Sequence, residues 1–246
     1  MDLWGPHWVT NVVGAGFEAY ARLLHPLDDY PGALRWADIA RFNGRILHPS
    51  AQWAHISAPA PFTTEHAQRG RSHPGEPRWG HLSPRALGAL CAVLAHHTTT
   101  AQHCFFAVWQ GCGTLHAGPG VTLTAYLPVN GVLPDLSPPP PAPAHWQLDL
   151  TGPTFTLPGR DRYHLFHGAV EQAVHIGRWD NTTFFTAQSP HFMWPADHTW
   201  CVATEIDDDS TIIGGTTALI SELCASAAIE ALPIAPDAPF DDILNP

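Results

Sequence analysis

The stretch TWCVATEIDDDSTIIGGTTALISELC, residues 199–224, decides the fold. Its first eight residues and residues 210–213 are rich in β-branched and apolar side chains, which predicts two short strands joined across an acidic turn. Gly214-Gly215 then leads into a predicted helix, because Thr216 or Thr217 can cap its first turn. This part of the chain therefore combines neighbouring strands with a helix that can pack on them.

Further strands and helices precede this stretch without a regular repeat. Phe17–Leu23 alternates apolar and polar residues, which predicts a half-buried strand, and the apolar run Cys104–Trp109 predicts a central strand. Ser83-Pro84 suits the start of a helix whose apolar stripe is Leu87, Leu90, Cys91 and Leu94. The other predicted elements are a helix from Pro31 to Asn43-Gly44, a strand at 162–166 and a helix at 168–176. This order predicts an α+β fold with a largely antiparallel sheet and packed helices.

A proline-rich run suggests how the chain is divided. Residues 134–144 contain four consecutive prolines, which favour an extended spacer. The predicted division is an N-terminal lobe at 1–133, a C-terminal lobe at 145–232 and an acidic, proline-rich tail at 233–246. A tight surface crossing or an SH3-type ligand is the alternative interpretation of the proline run.

The charge of the chain limits its partners. Asp and Glu number 22 against 11 positive residues, so the net charge is −11 with histidine neutral. Such a charge repels nucleic acid and anionic membranes, and a partner steered by charge would be basic. All positive residues are arginine, so chemistry that needs a lysine Schiff base or a phosphate-loop lysine is excluded. The arginines gather near residues 57–82, an aperiodic stretch typical of a long surface loop.

The cysteines and the N-terminus indicate the compartment. The five cysteines are odd in number, irregularly spaced and without a CxxC pair, which favours reduced thiols. The N-terminal residues lack the apolar core of a signal peptide, and no apolar run approaches about 18 residues. We therefore expect a cytoplasmic protein.

The predicted binding surface centres on the acidic turn and the residues before it. Interfaces often use exposed aromatic and arginine side chains as anchors, and acidic side chains attract a basic partner. Trp194 lies between Met193 and Pro195 in a predicted loop, which favours its exposure. The candidate binding residues are Trp194, Asp197, Glu205, Asp207, Asp208, Asp209 and Arg178. They predict a non-enzymatic protein-binding module, and no catalytic residue is assigned.

Metal-assisted catalysis on a small molecule is the alternative function. Glu205 and Asp207 share one face of a strand, and with a histidine such as His198 they could hold Mg²⁺ or act as acid and base. A zinc site is a further candidate for the crowded residues Cys91, His96, His97, His103, Cys104 and Cys112. Because they show no HExxH or CxxC spacing, we predict no metal and no cofactor.

The C-terminal residues carry a resemblance. Gln188–Pro190, Trp194–Asp197 and Trp200–Asp207, followed by Asp209–Thr211 and Gly214-Gly215, resemble an uncharacterised actinobacterial family with the pattern SPxxxWPxDxxWxVATEIDxDSTxxGG. The resemblance implies a soluble bacterial protein and brings no activity with it. At the level of fold, the chain is similar to SMI1/KNR4-type immunity modules, which are acidic α+β domains that bind toxins. That similarity implies a protein that neutralises a basic partner.

Overall fold

A computed structural model describes residues 9–27, 34–57, 76–115, 148–157, 162–179 and 185–238. Within these ranges the α-helices are α1 (Val9–Val13), α2 (Trp36–Phe42), α3 (Trp53–Ile56), α4 (Pro84–Leu94) and α5 (Thr217–Ala225). Short 3-10 helices span Ala95–His97, Gly113–Leu115 and Val170–His175. The strands are β1 (Ala19–Leu24), β2 (Cys104–Trp109), β3 (Thr154–Thr156), β4 (Arg162–Gly168), β5 (Gly177–Trp179), β6 (Phe185–Ala187), β7 (Phe192–Pro195), β8 (Cys201–Ala203), β9 (Ser210–Gly215) and β10 (Glu230–Ile234).

The strands form one large sheet and one small sheet. The large sheet has eight strands in the order β10-β1-β9-β8-β7-β2-β4-β3, and β5 pairs with β6. Each of these pairings is antiparallel. The predicted α+β class with a largely antiparallel sheet is therefore confirmed.

Strands from both sides of the proline-rich run share the large sheet. β1 lies between β10 and β9, and β2 lies between β7 and β4. Leu23, Phe106 and Ile213 also belong to the same hydrophobic cluster. The two predicted lobes therefore contribute to one sheet and one core, and the sheet does not follow the predicted division. The predicted spacer at 134–144 and the loop residues 58–75 lie outside the described residues.

The part of the sheet around β1 and β9 is buried on both faces, and this determines the burial of β1. One face packs on α4 and α5, and the other packs on α1 and a set of aromatic side chains. Ala21 and Leu23 face the first layer, whereas Tyr20 faces the second. The alternating sequence predicts a half-buried strand, but five of its six residues are buried because both layers are filled.

Local capping signals place the two main helices as predicted. The Ser83 hydroxyl accepts a hydrogen bond from the N–H of Ala86 at 3.3 Å, and Pro84 opens α4. Thr216 caps α5 by accepting from Leu219 N–H at 3.2 Å. Side-chain caps satisfy N–H groups that the helix itself leaves without partners.

Two strands lie where the sequence predicts a loop and a tail. β7 contains Trp194 and pairs with β2 and β8. β10 extends to Ile234, within the predicted tail, and Pro233 is tolerated because β10 is an edge strand. Residues 239–246 of that tail lie outside the described residues. The strand predicted for 199–206 is shorter, and the helix predicted for 168–176 is a 3-10 helix.

Candidate functional site

Arg22 lies at the centre of a buried polar network. Its side chain is 1% exposed. The guanidinium donates to the Ser210 hydroxyl at 2.8 Å, to the carbonyl of Ala51 at 2.7 Å and to that of Pro49 at 3.0 Å. It also donates to a carboxylate oxygen of Asp209 at 3.2 Å. These bonds tie β1 to the start of β9 and to the chain that leads into α3.

Asp209 belongs to the interior more than to the surface. Its side chain is 14% exposed and also accepts the N–H of Trp53, the first residue of α3. Burial raises the pKa of Asp209, although the Arg22 charge and these hydrogen bonds act in the opposite direction. The sequence groups Asp209 with the binding residues, but its carboxylate is engaged inside the protein and offers a partner little surface.

His25 forms a second part of the network. The fully buried ring has Nδ1 at 2.5 Å from the carbonyl of Arg78 and Nε2 at 2.9 Å from the Thr211 hydroxyl. A carbonyl can only accept, so Nδ1 carries the proton and Nε2 accepts from Thr211. Thr211 in turn lies 2.7 Å from the hydroxyl of Thr204. Burial lowers the pKa of His25 to about 4, so the ring is neutral at pH 7.

The sequence run that carries the family resemblance supplies much of this interior. Thr204, Asp209, Ser210 and Thr211 all belong to the network. The paired glycines that follow are close-packed. A Cβ on Gly214 would lie 2.4 Å from the Phe17 ring, and one on Gly215 would lie 2.6 Å from Leu219. These residue types are therefore explained by hydrogen bonding and packing in the core.

A surface patch lies directly over the network. Trp79 is 65% exposed and Ile206 is 37% exposed. Between them, Gly80 donates its N–H to the carbonyl of Asp208 at 2.8 Å. Gly80 has φ +62°, and a Cβ there would lie 2.5 Å from the carbonyl oxygen of Ile206. Only glycine allows this close approach, which joins the Trp79 chain to the acidic turn.

We call this surface the Trp79 patch and define it as Trp79, Gly80, Glu205, Ile206, Asp207 and Asp208. Asp207 is exposed, and Glu205 and Asp208 are partly exposed. The neighbouring Glu76 and Arg78 are exposed charges of opposite sign. The patch therefore joins the chain that carries Trp79 to a turn that carries Ile206 and three acidic residues, of which Asp207 is the exposed one and Glu205 has one carboxylate oxygen buried. The sequence analysis did not select Trp79, because it lies in an aperiodic stretch. The glycine that follows Trp79 was the available sign of a close backbone contact there.

Trp194 lies on the sheet and not in a loop. It is the third residue of β7, and its ring stacks on Phe105 at a centroid distance of 5.6 Å. It also meets the edge of Phe155 at 5.8 Å. Trp194 is half-buried and lies at the opposite end of β8 from Glu205. The tertiary structure thus does not bring Trp194 to the acidic turn.

Asp197 closes the turn between β7 and β8. Its carboxylate accepts hydrogen bonds from the hydroxyls of Thr98, Thr99 and Thr199 and from the N–H of Thr99. Partial burial alone would raise the pKa of Asp197, but these hydrogen bonds outweigh it and hold the pKa well below its usual range. Asp197 therefore fastens the turn to the end of the 3-10 helix after α4. Arg178 is half-buried in β5, within the small sheet.

Glu205 and His198, the candidate metal ligands, lie on opposite sides of β8. Glu205 follows β8, whereas His198 lies in the turn that precedes it. Burial raises the pKa of Cys91 to about 12 and that of Cys104 to about 11, which suits thiols of the core. In the described part of the chain, no three His, Cys, Asp or Glu residues are grouped as metal ligands would be.

Comparison with protein-family models, with curated proteins and with solved structures gave no match. The two resemblances stated above therefore rest on sequence and fold class alone. None of the helices in the described ranges has the length and apolar character needed to cross a bilayer.

Proposed function

We propose that the chain is a non-enzymatic, cytoplasmic protein-binding module that holds a basic partner protein on the Trp79 patch. The carrying observation is a tryptophan that is 65% exposed and joined to an acidic turn through Gly80. A role of the immunity type, in which the chain neutralises a basic partner, fits this surface. All five cysteines are free thiols, which supports a reducing compartment.

The composition of the patch suits a binding anchor. Tryptophan is enriched among the residues whose truncation costs an interface about 2 kcal/mol or more. In the patch, Trp79 and Ile206 supply apolar area, and the turn that carries Ile206 supplies negative charge through exposed Asp207 and the partly exposed Glu205 and Asp208. The net charge of −11 adds a long-range field that speeds the approach of a basic protein.

The patch is also held in place before any partner arrives. Gly80 N–H is bonded to Asp208, and the Arg78 carbonyl is bonded to buried His25. Leu82 N–H donates to the Ser189 hydroxyl at 2.9 Å. A surface that is already ordered loses less conformational entropy on binding, which favours affinity.

Synthetic peptides test the proposed chemistry. The probe is a peptide that alternates arginine with leucine, and acidic and uncharged peptides of the same length are compared with it. We expect the basic peptide alone to bind in calorimetry, with an affinity that falls as salt is raised from 50 to 300 mM. Equal binding of all three peptides, or no binding of the basic one, would contradict the proposal.

Variants locate the binding on the surface. Trp79→Ala should weaken peptide binding by about 30-fold, the equivalent of roughly 2 kcal/mol. Asp207→Lys should also weaken peptide binding relative to wild type, most strongly at low salt. Asp149→Lys is the matched control, because Asp149 is an exposed acidic residue outside the patch and bonds only locally, to Thr151. If Asp149→Lys reduces the affinity as much as Asp207→Lys does, overall charge and not the patch is responsible.

A further inference from the structure

The segment Arg78–Leu82 is held on the protein by the side chain of Leu82, which is buried in the main hydrophobic core, and by several polar contacts. The Arg78 carbonyl meets His25 Nδ1, and Gly80 N–H meets the Asp208 carbonyl. At the other end, Ser189 N–H donates to His81 Nδ1 at 3.3 Å, and Leu82 N–H donates to the Ser189 hydroxyl. Two of these four contacts involve a histidine ring. This segment also carries Trp79, the exposed anchor of the patch.

Protonation disturbs the two histidine contacts in different ways. His81 Nδ1 accepts the Ser189 N–H, so a proton on that nitrogen would displace this hydrogen bond. His25 would keep its bond to Arg78 when protonated, but its charge would be completely buried. A buried charge without a compensating partner is strongly unfavourable.

The groups that face His25 offer no compensation. The positive charge of Arg22 on β1 and that of His81 on the segment both oppose protonation of His25. The Thr211 hydroxyl of β9 faces Nε2, and the backbone N–H of His25 donates to the carbonyl of Asp209, just before β9, at 3.0 Å. The Asp209 carboxylate is already bonded to Arg22. The charge of protonated His25 is therefore stabilised best when the ring becomes exposed to water.

The wall of the His25 site that opens most easily is Arg78–His81, because Leu82 stays anchored in the core. The other walls of the His25 site include β1 and β9, which are paired on both sides within the large sheet. The segment has no helix or strand of its own. Local opening favours such poorly paired chain over sheet interiors.

We propose that acidification releases residues Arg78–His81 by protonating His25 and His81, and so switches off the Trp79 patch. The regulatory part rests on the proposed binding function of the patch, whereas the release of the segment does not.

The size of the effect follows from the His25 proton equilibrium. The His25 pKa is about 4 in the closed protein, and a solvated histidine has a pKa of about 6.5. Proton linkage then raises the opening constant by about 30-fold between pH 7.5 and pH 5. Buried His191 lies near His81, and a proton on either ring opposes a proton on the other.

Hydrogen exchange measures the opening without any partner. Exchange of the Gly80 amide and of the Ser189 amide, which donates to His81, is followed at pH 7.5 and pH 5.0 and corrected for the intrinsic pH dependence of exchange. We expect protection of these amides to fall by about 30-fold at pH 5, while the amides of central strand β2 keep theirs, except that of Trp109, which donates to His191. Unchanged protection of Gly80 and Ser189 overturns the proposal, and so does an equal loss in the rest of β2, which would signal global unfolding.

A variant assigns the effect to His25. His25→Asn retains an N–H donor for the Arg78 carbonyl and cannot titrate, so the loss of protection at pH 5 should shrink to a few-fold or less. His175→Asn is the control, because His175 is an exposed histidine outside the segment, and it should behave as wild type. If His25→Asn does not fold, His81→Asn replaces it and should lower the pH effect partially. An undiminished pH effect in the folded variant contradicts the assignment.

The peptide separates the switch from the binding function. Binding of the arginine-leucine peptide at pH 7.5 but not at pH 5, with restored binding at pH 5 in His25→Asn, supports both. Release of the segment without peptide binding at either pH supports the release and rejects the binding function. Equal binding at both pH values in a protein whose segment opens rejects the switch.

Discussion

Replacing Arg22 by methionine should destabilise the protein by about 4 kcal/mol, since removing one partner of a buried ion pair typically costs about 3–5 kcal/mol. Methionine keeps much of the apolar volume but none of the donors. The variant leaves the Asp209 carboxylate, 14% exposed, without its cation. It also leaves the Ala51 and Pro49 carbonyls without the N–H groups that now bond to them at 2.7 and 3.0 Å. The free energy lost with these interactions is larger than the free energy saved by no longer burying the arginine charge.

Urea denaturation followed by circular dichroism measures this loss. The free energy of unfolding in water and the slope with urea should be compared, because an unchanged slope shows that stability alone has changed. The double variant Arg22→Met with Asp209→Asn should recover about 1–2 kcal/mol relative to Arg22→Met, since it removes the uncompensated charge. Trp53 N–H keeps an acceptor in asparagine.

Arg41→Met is the matched control. Arg41 also bonds to a carboxylate, that of Asp38 at 3.1 Å, but its side chain is 76% exposed. Exposed pairs of this kind contribute about 0–1 kcal/mol. The reasoning is refuted if Arg22→Met loses no more stability than Arg41→Met, or if the double variant is less stable than Arg22→Met alone.

Two further predictions concern stability. Burial lowers the pKa of both His25 and His191 to about 4, so each unfolded histidine binds a proton at a pH where the folded one does not. Their contribution is complete above about pH 6.5 and is lost as the pH falls towards 4, by roughly 3 kcal/mol for each residue, which urea titrations from pH 7.5 to 4.5 would measure. A flat stability profile would rule this out. Gly214→Ala should cost about 1–3 kcal/mol, because its Cβ would meet Phe17, whereas Gly113→Ala has open space and should be neutral in thermal unfolding.

The elements that the sequence predicted well are those fixed by local chemistry. Ser83 and Thr216 cap their helices because the hydroxyl and the N–H that it accepts are three residues apart. The apolar run Cys104–Trp109 forms a central strand because it has no polar face to expose. The sequence did not predict β7 and β10, because each pairs with a strand that is distant in sequence. Pro233 also makes β10 look unlike a strand.

For the candidate site, the sequence located the acidic turn. It did not show which acidic residues of the turn are exposed and which are buried. Asp207 is exposed, whereas Asp209, two residues later, is bonded to Arg22 from the other end of the chain. Trp79 gave no periodic signal, and its place beside Ile206 follows from the contact of Gly80 with the turn. No local pattern contains these contacts, because their partners are more than 100 residues apart.

The sequence by itself determined the α+β class, the helix starts, the negative charge and the absence of lysine chemistry. Only the tertiary structure decided which polar residues are buried and that both halves of the chain share one sheet. It also decided that the chain carrying Trp79 contacts the acidic turn. The physical reason is the range of the interactions. Capping and periodicity act within a few residues, whereas burial and hydrogen bonding of Arg22 and His25 require β9 to pair beside β1.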